Sequence, residues 1–431
     1  MNNKLKNMTL KEVRSPVKWI ATLLFLYPLV ALTVHDAGNG IYYILALIAL
    51  IMLIFCRQQN DFQFLNLLKD YWPLHLAFAS SVLAVFLNQL SSGNFAFKYY
   101  DRGWRLALFP LIFWVVLIVP PDRLRVLRWS FFAATLIVMI KAFIFTQGGQ
   151  FRFGNIGFLS IIAYSDIAML TGVLSLLSLV AETRQRKSVV FLMVLACIAG
   201  AYTSVLTATR GGWVAALLYL FFLLTVSPIT WRKKIGWVAG VFLVVMVMVS
   251  FNQQARTRLN GTQSDLISYS EGEGRDTATG IRLQLWGAAL KLFSEHPIFG
   301  IGRENYGPSI KAMAERKEVT KELTTLAHSH NEIFFNMAIS GIFGLLSTLS
   351  LYIVPGYYFV SELRSKSSQV RAAAQAGCIV VIGFFAFGLT DLMFFWTVLC
   401  GYYVILISIF LAMIIKAGKQ EETGGVVFPP A

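Results

Sequence analysis

Apolar runs of roughly 17 to 25 residues recur along the whole chain. They fall near 17–33, 40–56, 72–90, 104–119, 127–145, 157–181, 189–206, 211–227, 234–251, 330–355, 371–390 and 393–415. About 20 apolar residues in a helix cross the hydrocarbon core of a bilayer. The composition agrees with this reading. Of 431 residues, 57% are hydrophobic and only 14% charged, where a soluble domain carries about 25%. Mean hydropathy is +0.64. The expected fold class is an all-α polytopic membrane protein with about twelve transmembrane helices.

The net charge of +15 would suggest nucleic acid in a soluble protein. Here Lys and Arg flank the apolar runs, and no basic stripe with interleaved aromatics stands out, so no nucleic-acid partner is expected. With the N-terminus inside, the inner segments hold 21 Lys and Arg. The short outer loops hold five: Lys98, Arg102, Arg105, Arg152 and Arg210. That bias predicts an even number of spans and both termini in the cytoplasm. The first run is long for a signal peptide and reads as an uncleaved span. Cys56, Cys197, Cys378 and Cys400 all lie in apolar runs, and none has a CxxC partner. They read as small buried hydrophobes.

Four regions follow. Residues 1–251 form an N-terminal transmembrane region of about nine spans, and 252–329 a large outer loop. Residues 330–416 form a C-terminal region of about three spans, and 417–431 a disordered cytoplasmic tail. A loop of that length inside a compact bundle is usually functional. "TGIRLQLWGAALKLFSEHP" predicts an amphipathic helix over 279–297, with Ile281, Leu285, Ala289 and Leu292 on one face. "IFGIGRENYG" then reads as a turn, and Pro308 as the start of a polar helix through "SIKAMAERKEVTKELTTLA". The piece "NGTQSDLISYSEGEGRDTATG" has no apolar period and reads as a loop. The last two spans, parted only by "LTDL", are expected to form a tight hairpin.

Several outer-face residues have two readings. His330 starts the tenth span, where unsatisfied N–H groups and the helix dipole disfavour an imidazolium. It is either a general base kept neutral or an interfacial ring that caps the helix. His328 and His330 give only a weak metal cue, without a third acidic or thiol ligand nearby in sequence. Arg210, in "LTATRGGWVAALL", either clamps a phosphate or reaches to headgroups; the adjacent glycines let a ligand approach the backbone. Arg282 heads the loop helix and is either a ligand contact or a solvated face residue. Arg303 sits in a turn with the same choice. Lys98, Arg102 and Arg105 cluster among aromatics as ligand contacts or headgroup anchors. Lys141, Asp166 and Asp391 are the main charges inside spans, and all point to the outer leaflet. No DxD motif offers a metal site, so neither metal nor cofactor is expected. Arginines, a neutral histidine and few carboxylates suit a phosphate-bearing lipid donor and an activated hydroxyl.

"TATRGGW", "IRLQLWGAALKLFSEHPIFGIGRENY" and "HSHNEIFFNMAISGIFGLL" resemble the motifs of the O-antigen ligase/polymerase family of bacterial inner-membrane proteins. Over roughly 195–350 the three occur in order, and Phe334 stands where the family often has leucine. The resemblance implies a GT-C-like fold with one large helical periplasmic loop. It implies a metal-independent, inverting glycosyltransferase that works at the periplasmic face. The donor would be a polysaccharide on undecaprenyl diphosphate and, for ligase members, the acceptor a sugar hydroxyl of lipid A–core. Arg210 and Arg282 match the family's arginines, and His330 the histidine before Asn. His330 would then be the base and His328 a neighbour. An O-antigen polymerase or a protein O-oligosaccharyltransferase shares this chemistry. A transporter or flippase predicts inverted repeats and midplane polar residues, which the sequence does not clearly show.

Overall fold

The computed structural model describes residues 10–55, 63–180, 185–227, 229–271 and 273–422. Cys56, Arg57, Arg184 and residues 423–431 lie outside the described residues. Among the described residues the chain is helical apart from its connections and one tiny hairpin. The first half comprises α1 (Leu10–Ala31), α2 (Ala37–Phe55), α3 (Phe64–Asp70), α4 (Trp72–Ser92), α5 (Asp101–Ala107), α6 (Phe109–Ile118), α7 (Pro121–Arg125) and α8 (Leu127–Thr146). The hairpin β1 (Asn155–Ile156) and β2 (Leu159–Ser160) follows, with Asn155 opposite Ser160. Then come α9 (Ile161–Leu177), α10 (Lys187–Leu206), α11 (Gly211–Val226) and α12 (Trp231–Ser250). The long connection contains α13 (Gln253–Ser270), α14 (Ala278–Glu295) and α15 (Arg303–Glu315). The chain finishes with α16 (Glu332–Ser361), α17 (Ser368–Gly388) and α18 (Thr397–Glu422).

Among the described residues, eight helical stretches are long and apolar enough to cross a membrane, counting α7 with α8 as one. Three further apolar helices are shorter: Pro16–Ala31, Ile161–Leu177 and Gly211–Val226. The expected run at 104–119 is broken at Leu108, where α5 ends and Pro110 sits at the start of α6. Proline lacks the N–H that would carry the ladder through. The expected run at 157–181 begins with the hairpin, and its helix starts only at Ile161, where Ser160 caps Ile162 N. α18 lies at the centre, packed against α17, α6, α5 and α2. Its residues 400–412 are buried all round, as an apolar helix without a polar face must be. α12 is the opposite case, with only Val249 buried.

The long connection departs from expectation in three places. The piece read as a loop is helical through Ser270, in α13, and packs along α14. α15 starts at Arg303, not Pro308. Gly302, at φ +82°, turns the chain in, and an internal proline removes only one ladder bond. The helix stops at Glu315 because Lys317 adopts φ +63° and Glu318 is tied to Lys291 and Arg316. The amphipathic helix holds: α14 buries Leu285, Ala288, Ala289 and Leu292. Leu290 points outward, 44% exposed.

These residues build a second core with Tyr306, Ile310, Leu323, Phe335 and Ala338. It binds the connection to the first turns of α16. The turn 297–302 docks on a kink there. Ile301 N and Gly302 N donate to the Ala338 and Ile339 carbonyls, and Ile342 N donates to Pro297 O. At the kink Gly341 has φ +61°, and a Cβ on it would lie 2.3 Å from Ile298 O. Only glycine tolerates both the backbone and the contact. The hairpin between α17 and α18 is looser than "LTDL" suggested. Residues 389–396 are all non-helical. The expected tail at 417–431 begins as helix, since α18 runs on to Glu422.

Candidate active site

His330 sits one residue before its helix, not in it. Asn331 is the N-cap of α16, and its side chain accepts from Ile333 N and Phe334 N. The helix terminus is therefore satisfied by an asparagine, a preferred cap. The expectation that the dipole acts on the His330 ring gives way to a different partner. His330 takes φ +52°, in the left-handed region, which turns its ring toward the 389–396 connection. There Nδ1 lies 3.2 Å from Asp391 Oδ1. A left-handed histidine is uncommon and costs strain, which the surrounding contacts offset.

Asp391 is 2% exposed and held from several directions. Ser160 Oγ donates to Oδ2 at 3.3 Å, and His328 Nε2 lies 4.0 Å from Oδ1. Its loop is fixed by two groups at the head of α16. Asn331 Nδ2 donates to Leu389 O, and the buried Glu332 accepts from Phe394 N at 3.0 Å. Burial by itself would raise the Asp391 carboxyl. The hydrogen bond from His330, with the neighbouring histidines and Leu392 N, outweighs that and holds it below its ordinary value. Asp391 is therefore a carboxylate at neutral pH.

The two histidines differ. Burial, then His330, pushes His328 down to about 4, so it is neutral at pH 7. Its Nδ1 accepts from His330 N at 3.3 Å. Its proton is thus assigned to Nε2, toward Asp391. On the same reasoning His330 donates from Nδ1 to the carboxylate, which leaves Nε2 with a lone pair. A carboxylate that fixes the tautomer of a histidine in this way prepares it to take a proton.

His330 lines a cleft of about 250 Å³ with Arg152, Arg210 and Arg282. Arg210 is the N-cap of α11, reached through a strained turn with Ala208 at φ +50°. Hydroxyl groups brace that turn: Ser204 Oγ donates to Thr209 O, and Thr209 Oγ1 to Ser165 Oγ. Gly211 lines the cleft, and both glycines after Arg210 are also needed for packing. A Cβ on Gly211 would lie 2.4 Å from Thr390 Oγ1, and one on Gly212 3.1 Å from the buried Asp166. They let α11 start directly beside the loop that carries Asp391. Arg282 enters from α14, five residues after its cap Thr277, and shares the cleft wall with Ala278, Thr279 and Ile281.

The remaining expected arginines do not join this cleft. Arg105 is buried in an ion pair with Asp101, and its Nη1 donates to Asn39 Oδ1 at 2.8 Å. It holds α5 to the start of α2. Lys98 lies over the Tyr99 ring, away from either group. Arg102 and Arg303 form a separate pair, with guanidinium carbons 4.0 and 4.8 Å from the centre of the Phe395 ring.

The fold supplies the third ligand that the sequence lacked. His328, His330 and Asp391 present ligand atoms all within 4.8 Å of one another. Sequence reasoning also passed over Arg152, Ser160 and Glu332. Arg152 was visible only as an outer-loop charge, and Ser160 and Glu332 carry no local signal. Ser160 and Glu332 act through partners more than sixty residues away, Asp391 and Phe394.

Comparison with known proteins adds to this geometry. Residues 195–349 match the family model described as O-antigen ligase. The chain is 26% identical to an O-antigen ligase of Escherichia coli K12 over 368 residues, 81% of this chain and 84% of that one. It is also 26% identical over 202 residues to an uncharacterized protein of Haemophilus influenzae. That match covers 46% of this chain and spans half the length of the Haemophilus protein.

Proposed function

Because residues 195–349 match the family model described as O-antigen ligase, we propose that this chain is a metal-independent inverting glycosyltransferase of the bacterial inner membrane. It moves O-antigen polysaccharide from undecaprenyl diphosphate to a lipid A–core sugar hydroxyl at the periplasmic face. The observation that carries the reading is the Asp391–His330 pair on the wall of a cleft with three arginines. His330 Nε2 takes the proton of the acceptor hydroxyl as its oxygen attacks the anomeric carbon. The bond from that carbon to the diphosphate breaks, and its electron pair leaves on the phosphate oxygen. Arg152, Arg210 and Arg282 face the charge that develops there. Attack opposite the leaving group inverts the anomeric centre.

The test is a reconstituted assay with undecaprenyl diphosphate-linked glycan and lipid A–core. A glycan-bearing lipid A–core of inverted linkage is expected. Elongation of a second donor-linked glycan instead would make the protein a polymerase, and transfer to a polypeptide a protein glycosyltransferase. No product from any of them would end the reading.

Metal independence has a sharp test because three ligand atoms converge at the base. Catalytic zinc sites use three protein ligands, so this group has the number one needs. In the proposed reaction guanidinium groups carry the leaving charge instead. Transfer is expected to persist unchanged in excess EDTA. Activity lost to the chelator and restored by zinc, magnesium or manganese would refute this.

Orientation follows from the charge bias. Residues 252–329 are assigned to the periplasm and both termini to the cytoplasm. In a chain whose native cysteines are replaced, Asp265→Cys is expected to react with an impermeant thiol reagent in intact spheroplasts. Labelling that requires lysis would invert the topology.

A further inference from the structure

A second cavity, of about 90 Å³, lies among α4, α5, α15 and α16. Its lining includes Asn88, Gln89, Arg102, Arg303, Asn336 and Phe395. Arg102 and Arg303 are half-buried, and both stack on the Phe395 ring. Among the described residues neither makes a hydrogen bond or ion pair with the protein. That is unusual for a pair of guanidinium groups this close to each other, each with five donors. Burial, and then the neighbouring Arg102, pushes Arg303 down to about 10. Glu304 and Glu332 also line the cavity, and Glu332 partly offsets both guanidinium charges, but its hydrogen bonds go to Phe394 N and Asn336 Nδ2, so neither arginine is bonded to it. Two stacked guanidinium groups that spend none of their N–H donors on the protein, at one small cavity, form a site for an anion.

The cavity's position gives it a partner. Phe395 also carries the His328 ring, at 5.0 Å, and His328 stacks edge-on against His330 at 4.5 Å. Phe395 and His328 therefore stand between this cavity and the arginine cleft. A ligand anchored beyond Phe395 approaches His330 from another side than a ligand in the cleft. The cavity's size suits a single phosphate or carboxylate, not a whole oligosaccharide.

We infer that this cavity anchors the acceptor substrate by an anionic group, phosphate or carboxylate, borne near the sugar that is glycosylated. The inference rests on the reading of the protein as a glycosyltransferase with a lipid-linked acceptor. The anchor would hold the acceptor while its hydroxyl reaches His330 around Phe395.

The experiment uses the full chain in nanodiscs of zwitterionic lipid, as parent, Arg102→Gln, Arg303→Gln and the double variant. Fluorescent lipid A–core, before and after enzymatic removal of its phosphates, is titrated without donor. The parent is expected to bind the phosphorylated form at least about 10-fold more tightly, a usual size for a charge-assisted contact. The double variant is expected to lose that preference, and to bind undecaprenyl diphosphate-linked glycan as the parent does. Arg102→Lys and Arg303→Lys, which keep the charge and the stem on Phe395, should retain part of the preference. They stand in if the glutamine variants do not fold. Equal binding of phosphorylated acceptor by parent and double variant would overturn the inference. So would a defect confined to the donor. If discs of phosphatidylglycerol abolish acceptor binding by the parent, the site is a headgroup site and the inference also fails. Arginine-dependent acceptor binding by a parent that transfers no glycan would instead overturn the proposed reaction and leave the anchor standing.

Discussion

Replacing His330 by alanine is expected to lower single-turnover transfer by about 10²- to 10⁴-fold, the usual worth of a positioned general base. Donor-lipid affinity should stay nearly unchanged, because the proton moves only in the transition state. The structure adds a second variant to this test. Asp391 accepts from Nδ1 and so keeps the lone pair on Nε2. Asp391→Asn keeps the shape but offers an amide whose N–H₂ favours the opposite tautomer. Its loss should approach that of His330→Ala, and the two changes together should cost little more than either, since they disable one unit. Circular dichroism and melting in detergent separate this from misfolding. Parent-like turnover in His330→Ala at neutral pH would end its role as base. Full additivity of the two changes would end the role of Asp391 as its orienter.

The second large effect is expected from Arg210→Ala and Arg282→Ala. A guanidinium on a diphosphate acts in the bound state and more strongly as the leaving oxygen gains charge. A hydrogen bond to a charged group contributes about 1.5–3 kcal/mol, so each variant should lose roughly 10- to 150-fold in donor affinity. Turnover should fall as well, by about 10²-fold, as for other groups that face developing charge. Lysine should rescue each only in part, because a point charge does not reproduce the planar fork. The measurement is donor binding beside single-turnover transfer. Unchanged binding and turnover in both variants would return these residues to the role of surface charges.

The helical class, the amphipathic α14 and three of the cleft's four ionisable residues were legible because each rests on local signals. Apolar length marks a membrane helix, and a 3.6-residue period marks α14, whatever lies around them. Arg210, Arg282 and His330 stand beside short motifs with family resemblance. Arg105 was misread because a charge among interfacial aromatics looks the same whether it faces a ligand or a carboxylate. Its partners are Asp101, four residues earlier, and Asn39, far away in sequence. The loop at 260–270 was misread because its helix has no apolar stripe and gains its support from packing on α14.

The sequence alone determined that this chain is built of long apolar helices interrupted by one long, more polar segment. That follows from composition and period, which act along a few neighbouring residues. Only the tertiary structure decided what the outer face does with its charges. Asp391 meets His330 across sixty residues because Asn331 and Glu332, at the head of α16, and Ser160, before α9, tie two segments to one loop. The left-handed backbone at His330 then aims the ring. The arginines divide into a cleft and a separate cavity because Phe395 and His328 stand between them. Such groupings depend on contacts between residues far apart in the chain, and a one-dimensional pattern carries no record of those.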